Sequence, residues 1–124
     1  MTYRDVYIGA LSTGSDPFDS GGDWNGNLPG RLSPWFPRGA EACNRLIQNI
    51  SDGKFPGKQV DFSGWVAKVT KQDILDFIDE VHRDDKWCSD PNLMPHIYEK
   101  MQSLMMYVRS LPEDGFFALV ADEF

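Results

Sequence analysis

The chain has 124 residues, which is enough for one domain with a single hydrophobic core. Its 41% hydrophobic and 13% aromatic residues argue against wholesale disorder, and 19 acidic against 12 basic residues give a net charge of −7. Such a surface repels nucleic-acid phosphates and anionic membranes, so the composition disfavours direct nucleic-acid binding and favours a basic partner.

The start of the chain predicts a strand followed by a long loop. Residues 3–11 alternate apolar and polar side chains, as a half-buried strand does. Residues 12–37 contain five glycines and four prolines, and no helical or strand period survives among them. Because aromatic residues recur within this stretch, we expect an ordered loop that is held against the domain rather than a flexible linker.

The middle of the chain predicts a helix, a β segment and a second helix. The helical period extends over residues 40–52, with Gly53 as a left-handed stop. Residues 59–69 are β-like and form either one bulged strand or a very short hairpin. The Thr70-to-Asp73 stretch resembles a capping arrangement for the next helix, which fades near residue 84.

The last third predicts a loop, the longest helix and a buried strand. Residues 86–91 indicate a loop. Residues 94–111 carry a broad apolar stripe that predicts an amphipathic helix around which the rest packs, starting near Pro95. The continuously apolar residues 116–121 are typical of a central strand. The element order predicts a single α+β domain over residues 1–124, a small sheet of three or four strands packed against about three helices.

Two sets of residues are candidates for a binding surface. The first is an acidic face on the predicted second helix: Asp73, Asp76, Asp79 and Glu80. Such a strip fits a cationic partner, although acidic faces are also common on ordinary solvated helices. The second set is the loop aromatics Trp24, Trp35 and Phe36, which either anchor an interface or cover the open side of the sheet.

The chain carries no recognisable signature of catalysis or metal binding. His82 and His96 lie on different predicted helices with no cysteine or carboxylate at ligand spacing around them, and Cys43 and Cys88 form no metal-type spacing. Acidic and amide residues between positions 16 and 27 lack the glycine and glutamate of an EF-hand loop, so turn chemistry is the better interpretation there. We therefore predict no catalytic residue, no metal site and no cofactor.

These features predict a small acidic protein-binding module that is not an enzyme. By size and charge it is analogous to inhibitors or immunity proteins of bacterial or phage origin that neutralise a more basic protein. Without an apparent signal sequence or a run of about 20 apolar residues, a cytoplasmic protein is the expectation. Two alternatives stay open: a ligand-binding domain or enzyme with residues 12–37 as a lid over a pocket, and a subunit that self-associates.

Overall fold

The computed structural model of the protein describes residues 4–9, 30–59 and 64–123. Within these ranges, four strands and four helices form one mixed α+β domain. The strands are β1 (Arg4–Gly9), β2 (Gly57–Gln59), β3 (Gly64–Val69) and β4 (Phe117–Glu123). The helices are α1 (Gly39–Ser51), α2 (Lys71–His82), α3 (Lys86–Ser89) and α4 (Pro95–Arg109). None of the helices in these ranges is both long and apolar enough to cross a membrane.

The four strands form one antiparallel sheet in the order β1-β4-β3-β2. β4 is central, pairing with β1 on one side and β3 on the other. Residues 118–121 are each 0% exposed, which confirms the prediction of a central strand in this apolar stretch. In the register, Leu119 lies opposite Ile8 on β1 and opposite Ala67 on β3.

The two faces of the sheet are buried against different groups. Alternate residues of a strand point to opposite faces, so each strand contributes to both sides. Val6, Ile8, Ala67 and Leu119 belong to the main core, which also contains the buried apolar residues of α1, α2 and α4. On the opposite face, a smaller cluster contains Tyr7, Val66, Ala118 and Val120, with Trp35 packed against it.

Residues 31–36 run along the outer side of β1. The backbone amides of Leu32 and Ser33 donate to the carbonyl of Ile8, at 3.0 and 3.2 Å, and the amide of Phe36 donates to the carbonyl of Val6 at 3.1 Å. The Ser33 hydroxyl accepts a 2.8 Å hydrogen bond from the Ile8 amide. This end of the 12–37 stretch is ordered and held against the body, as expected, whereas residues 12–29 lie outside the described ranges.

Local signals fix several element ends as predicted. The Thr70 hydroxyl accepts from the Asp73 amide at 3.1 Å, and the Asp73 carboxylate accepts from the Thr70 amide at 3.0 Å, which completes a capping box. Gly53 has a φ of 80°, so the left-handed stop after α1 is confirmed. Pro95 occupies the first turn of α4. β2 and β3 pair antiparallel, which selects the hairpin alternative over a single bulged strand.

Two predictions about helices are wrong. Residues 86–89 form the short helix α3, because the Asp85 carboxylate accepts from the Trp87 amide at 3.0 Å and so caps it. One turn is too short to show a helical period. The stripe of α4 is also not the centre of the fold, since only Leu104 and Val108 of this helix are fully buried. The other apolar residues of the stripe are half-buried, and Met101, Met105 and Leu111 pack against the edge of the main core.

Lys71, the first residue of α2, connects α2 to the C-terminal end of α4 through hydrogen bonds. Its ammonium donates to the carbonyls of Arg109 and Leu111, each at 3.1 Å, and to the Glu113 carboxylate at 2.9 Å. Lys71 is only 9% exposed. Since the last carbonyls of a helix have no partner within the helix, the lysine supplies donors that α4 lacks.

Replacing this lysine should weaken the connection between α2 and α4 and so lower the stability of the domain. Lys71→Met keeps the aliphatic stem but leaves the two carbonyls without a donor, so we expect a loss of about 2 kcal/mol in the free energy of unfolding, measured by urea denaturation. The control is Lys54→Met, which removes an exposed lysine that pairs with Glu80 and should cost less than about 1 kcal/mol. Equal losses in the two variants would contradict the capping role.

Candidate functional site

The first three residues of the predicted acidic face have different surroundings on α2. Asp73 is engaged in the capping box. Asp79 is exposed and forms an ion pair with Arg83, whose hydrogen bond lowers the pKa of the carboxyl below its usual value. Asp76 is exposed and accepts a 2.9 Å hydrogen bond from the side-chain amide group of Gln72. Of these three carboxylates, Asp76 keeps the charge that is most available to a partner.

Glu80 connects α2 to α1 and to the turn that follows α1. Its carboxylate accepts a 3.1 Å hydrogen bond from the Asn49 amide group and lies 3.2 Å from the Lys54 ammonium and 3.6 Å from the Arg45 guanidinium. Burial raises the pKa of Glu80, but the hydrogen bonds from Asn49 and Lys54 and the charges of Lys54 and Arg45 together hold it below its usual value. Glu80 is therefore largely neutralised within the chain.

The aromatic candidates also have different environments. Phe36 is 1% exposed and packs against Phe77, with ring centroids 5.9 Å apart. The prediction that Phe36 belongs to a contact surface is corrected, because the core encloses its side chain. Trp35 is half-buried, with its ring edge-on to Tyr7 at 5.5 Å and the Arg31 guanidinium 5.0 Å above it. Trp24 lies outside the described residues.

A groove of about 390 Å³ lies between α2 and α4. Both helices and α3 contribute to its walls, and it holds several half-buried apolar side chains. The apolar residues of the groove are Leu75, Ile78, Tyr98, Met101 and Met105. Asp79 and Arg83 also line it and at the same time line a second, acidic depression on the outer side of α2. The acidic surface and the apolar groove are thus continuous.

At the α3 end of this groove the structure brings together three residues that the sequence reasoning did not connect. His82, Asp85 and Cys88 each present a ligand-type atom, and these atoms all lie within 4.8 Å of one another. The Nδ1 atom of His82 is 3.7 Å from the Sγ atom of Cys88. The signal in the sequence is the constant spacing of three residues, His-x-x-Asp-x-x-Cys. A carboxylate and a cysteine therefore do lie at ligand spacing from His82, contrary to the sequence-based reading.

The backbone after α2 explains why these three side chains lie close together. The Asp85 amide donates to the carbonyl of His82 at 3.2 Å, and the Cys88 amide donates to the carbonyl of Asp85 at 3.0 Å. Asp85, where the two turns meet, has an extended backbone (φ −87°, ψ 105°) and is the N-cap of α3, so the chain changes direction there and does not continue one helix. The two turns keep His82, Asp85 and Cys88 close together in space.

Arg38 holds this cluster from the start of α1. Its Nε atom is 3.7 Å from the Asp85 carboxylate, and its guanidinium lies 4.2 Å from the centre of the Trp87 ring. The Arg38 backbone has a φ of 56° and a ψ of 55°, a left-handed conformation that costs a non-glycine residue about 1–2 kcal/mol. In this strained conformation the Arg38 side chain contacts both Asp85 and Trp87, and these contacts fix the position of Asp85.

Electrostatics keep the histidine and the cysteine uncharged. Burial lowers the pKa of His82 to about 4, with Asp85 opposing and Arg38 reinforcing that shift. Burial, together with the Asp85 charge and hydrogen bond, raises the pKa of the Cys88 thiol to about 11. A neutral imidazole beside a neutral thiol is the reverse of the thiolate–imidazolium pair of an activated cysteine nucleophile. The surroundings therefore do not activate Cys88 as a nucleophile.

The lowered pKa of His82 predicts that the stability of the folded protein falls in acid. The unfolded chain binds a proton at His82 near pH 6.5 and the folded one near pH 4, so stability is fully present above pH 6.5 and falls as the pH falls toward 4. Between pH 7 and pH 5 we expect a loss of about 2 kcal/mol from this group, measured by urea denaturation in EDTA. His82→Gln should flatten this slope, whereas His96→Gln should leave it unchanged. A wild-type slope retained in His82→Gln would contradict the assignment.

Comparisons with models of protein families, with curated proteins and with solved structures give no match for this chain.

Proposed function

We propose that the protein is a non-enzymatic binding module that docks a basic, amphipathic segment of another protein on the α2 side of the domain. The observation that carries the proposal is the continuity of an acidic surface with an apolar groove, which share Asp79 and Arg83 as lining residues. A partner that is cationic on one side and apolar on the other complements both parts.

Two carboxylates give the acidic surface its available charge. Asp76 and Asp84 are exposed and line the depression on the outer side of α2. Among the described residues, no basic side chain lies within ion-pair distance of either one. Together with a net charge of −7, they favour the approach of a cationic surface and raise its association rate.

The apolar groove would supply affinity for the partner, because exposed ion pairs alone add little. Met101 and Met105 line it, and unbranched methionine side chains adapt to irregular partners. Burying a partner's aliphatic or aromatic anchor there would add about 25 cal/mol for each Å² of apolar surface removed from water. Charge would then set the rate and the orientation of binding, and the groove would set how long the complex lasts.

A module of this kind is suited to neutralise a more basic protein, as an inhibitor or immunity protein does. The support is the excess of acidic residues and the surface described above. A cytoplasmic location and a contact through Trp24 stay predictions.

A small-molecule function is the second candidate. The volume of the groove, about 390 Å³, falls within the range of ligand pockets, and His82 and Cys88 provide convergent polar groups at one end. This groove is formed by α2, α3 and α4, so a ligand in it would not need residues 12–37 as the predicted lid.

The acidic surface is tested by reversing its two available charges. Tagged wild-type protein and Asp76→Lys/Asp84→Lys are used to capture partners from the native lysate, followed by mass spectrometry and washes of rising salt. We expect the wild type to retain a basic protein that high salt releases, because exposed charges are screened beyond about 8 Å at physiological ionic strength. The double variant should retain it at least about tenfold less.

The matched control is Glu99→Lys/Asp114→Lys, which makes the same change of net charge at exposed positions away from the outer side of α2. It should capture the partner as the wild type does. Equal losses in both double variants, or no specific partner at all, would overturn the proposed surface. A Leu75→Glu variant, which places a charge at the groove wall, should weaken capture at every salt concentration.

A further inference from the structure

We infer that His82, Asp85 and Cys88 form a binding site for a divalent metal ion of the zinc class, independent of the proposed protein-binding function. The three residues offer one nitrogen, one oxygen and one sulfur ligand within 4.8 Å of one another. This donor set is typical of Zn²⁺, whereas Ca²⁺ and Mg²⁺ take oxygen ligands.

The separation of the two buried ligand atoms fits a shared metal ion. With a metal–sulfur bond of about 2.3 Å and a metal–nitrogen bond of about 2.0 Å at a tetrahedral angle, the sulfur and nitrogen lie about 3.5 Å apart. His82 Nδ1 and Cys88 Sγ are 3.7 Å apart. A shift of a few tenths of an ångström brings both atoms to the distance that one ion requires. Asp85, positioned by Arg38 and by the Trp87 amide, supplies the third ligand from the rim.

An independent observation is that the protein leaves the His82 imidazole poorly satisfied. The residue is 4% exposed, and its Nε2 atom has no hydrogen-bond partner among the described residues. Among the described residues, its Nδ1 atom has only the Cys88 thiol as a hydrogen-bond partner, and a thiol is a weak one. Coordination would give Nδ1 a strong partner and would leave the ring proton on Nε2.

The charge around the site and its opening to the groove both permit coordination. In the metal-bound state a Cys88 thiolate and the Asp85 carboxylate would contribute two negative charges, and the Arg38 guanidinium, 3.7 Å from Asp85, would offset one of them. On binding, the S–H bond of Cys88 breaks, a metal–sulfur bond forms and one proton passes to solvent, so affinity rises with pH. Because His82 and Cys88 line the groove, a fourth position is open to water or to a ligand group from outside.

The test adds Co²⁺ to the metal-free wild-type protein and follows its absorption spectrum. We expect a one-to-one complex with a sulfur-to-cobalt charge-transfer band and intense visible bands typical of a tetrahedral ion, both of which Zn²⁺ displaces. In Cys88→Ser the charge-transfer band should disappear. His82→Gln and Asp85→Asn should weaken Co²⁺ binding at least about tenfold. A complex without sulfur character, or no stoichiometric binding, would overturn the site.

The chain supplies a control for each buried ligand. Cys43 is the other buried thiol, and His96 is the other histidine, so Cys43→Ser and His96→Gln should bind Co²⁺ as the wild type does. If the buried-site variants fail to fold, Asp85→Asn and X-ray absorption of the Zn²⁺-loaded wild type decide. One sulfur at about 2.3 Å from zinc supports the site, and a shell of nitrogen and oxygen alone overturns it.

Discussion

The burial of β4 on both faces is the constraint on which the domain depends. Four consecutive residues of this strand are fully buried, so each face of the sheet needs a cover. The helices provide it on one side. α1 follows β1 in the chain, and α4 precedes β4, which lies between β1 and β3 in the sheet. The α2–α4 groove and the residues at its end are therefore positioned by helices that cover the sheet.

α2 carries structural and surface roles on different sides. Its inner residues Ile74, Phe77 and Ile78 belong to the core. Of its outer carboxylates, Glu80 and Asp79 form ion pairs within the chain, whereas Asp76 forms none with a described residue. The number of acidic residues on this helix face therefore overstates the charge available to another protein, because basic side chains of the same chain neutralise part of it.

Much of the fold follows from local signals in the sequence. These signals act between neighbours in the chain and can therefore be predicted from the sequence. They are the capping residues Thr70 and Asp73, the stop at Gly53 and the apolar stretch before residue 122. The burial of Phe36 depends instead on contacts with Phe77 on α2 and with β1. Nothing local distinguishes it from the half-buried Trp35.

The candidate site was harder to predict than the fold for a related reason. His82 ends α2, Asp85 is extended and Cys88 lies in a second helix, so no single helical or strand period covers the three residues. They are brought together by two turns that meet at Asp85 and by Arg38, which approaches from the start of α1. The burial of Cys88 and His82 adds the electrostatic part, which no spacing in the sequence reveals.

The strip of chain along β1 has a consequence for how this domain meets other molecules. The Val6 and Ile8 carbonyls and the Ile8 amide of β1 are already hydrogen-bonded to residues 32–36, and the described part of the opposite edge strand, β2, is three residues long. An open strand edge invites another chain to extend the sheet by main-chain pairing. In the part of the sheet that the structure describes, one edge is occupied and the other is short, so little strand backbone is left for β-augmentation.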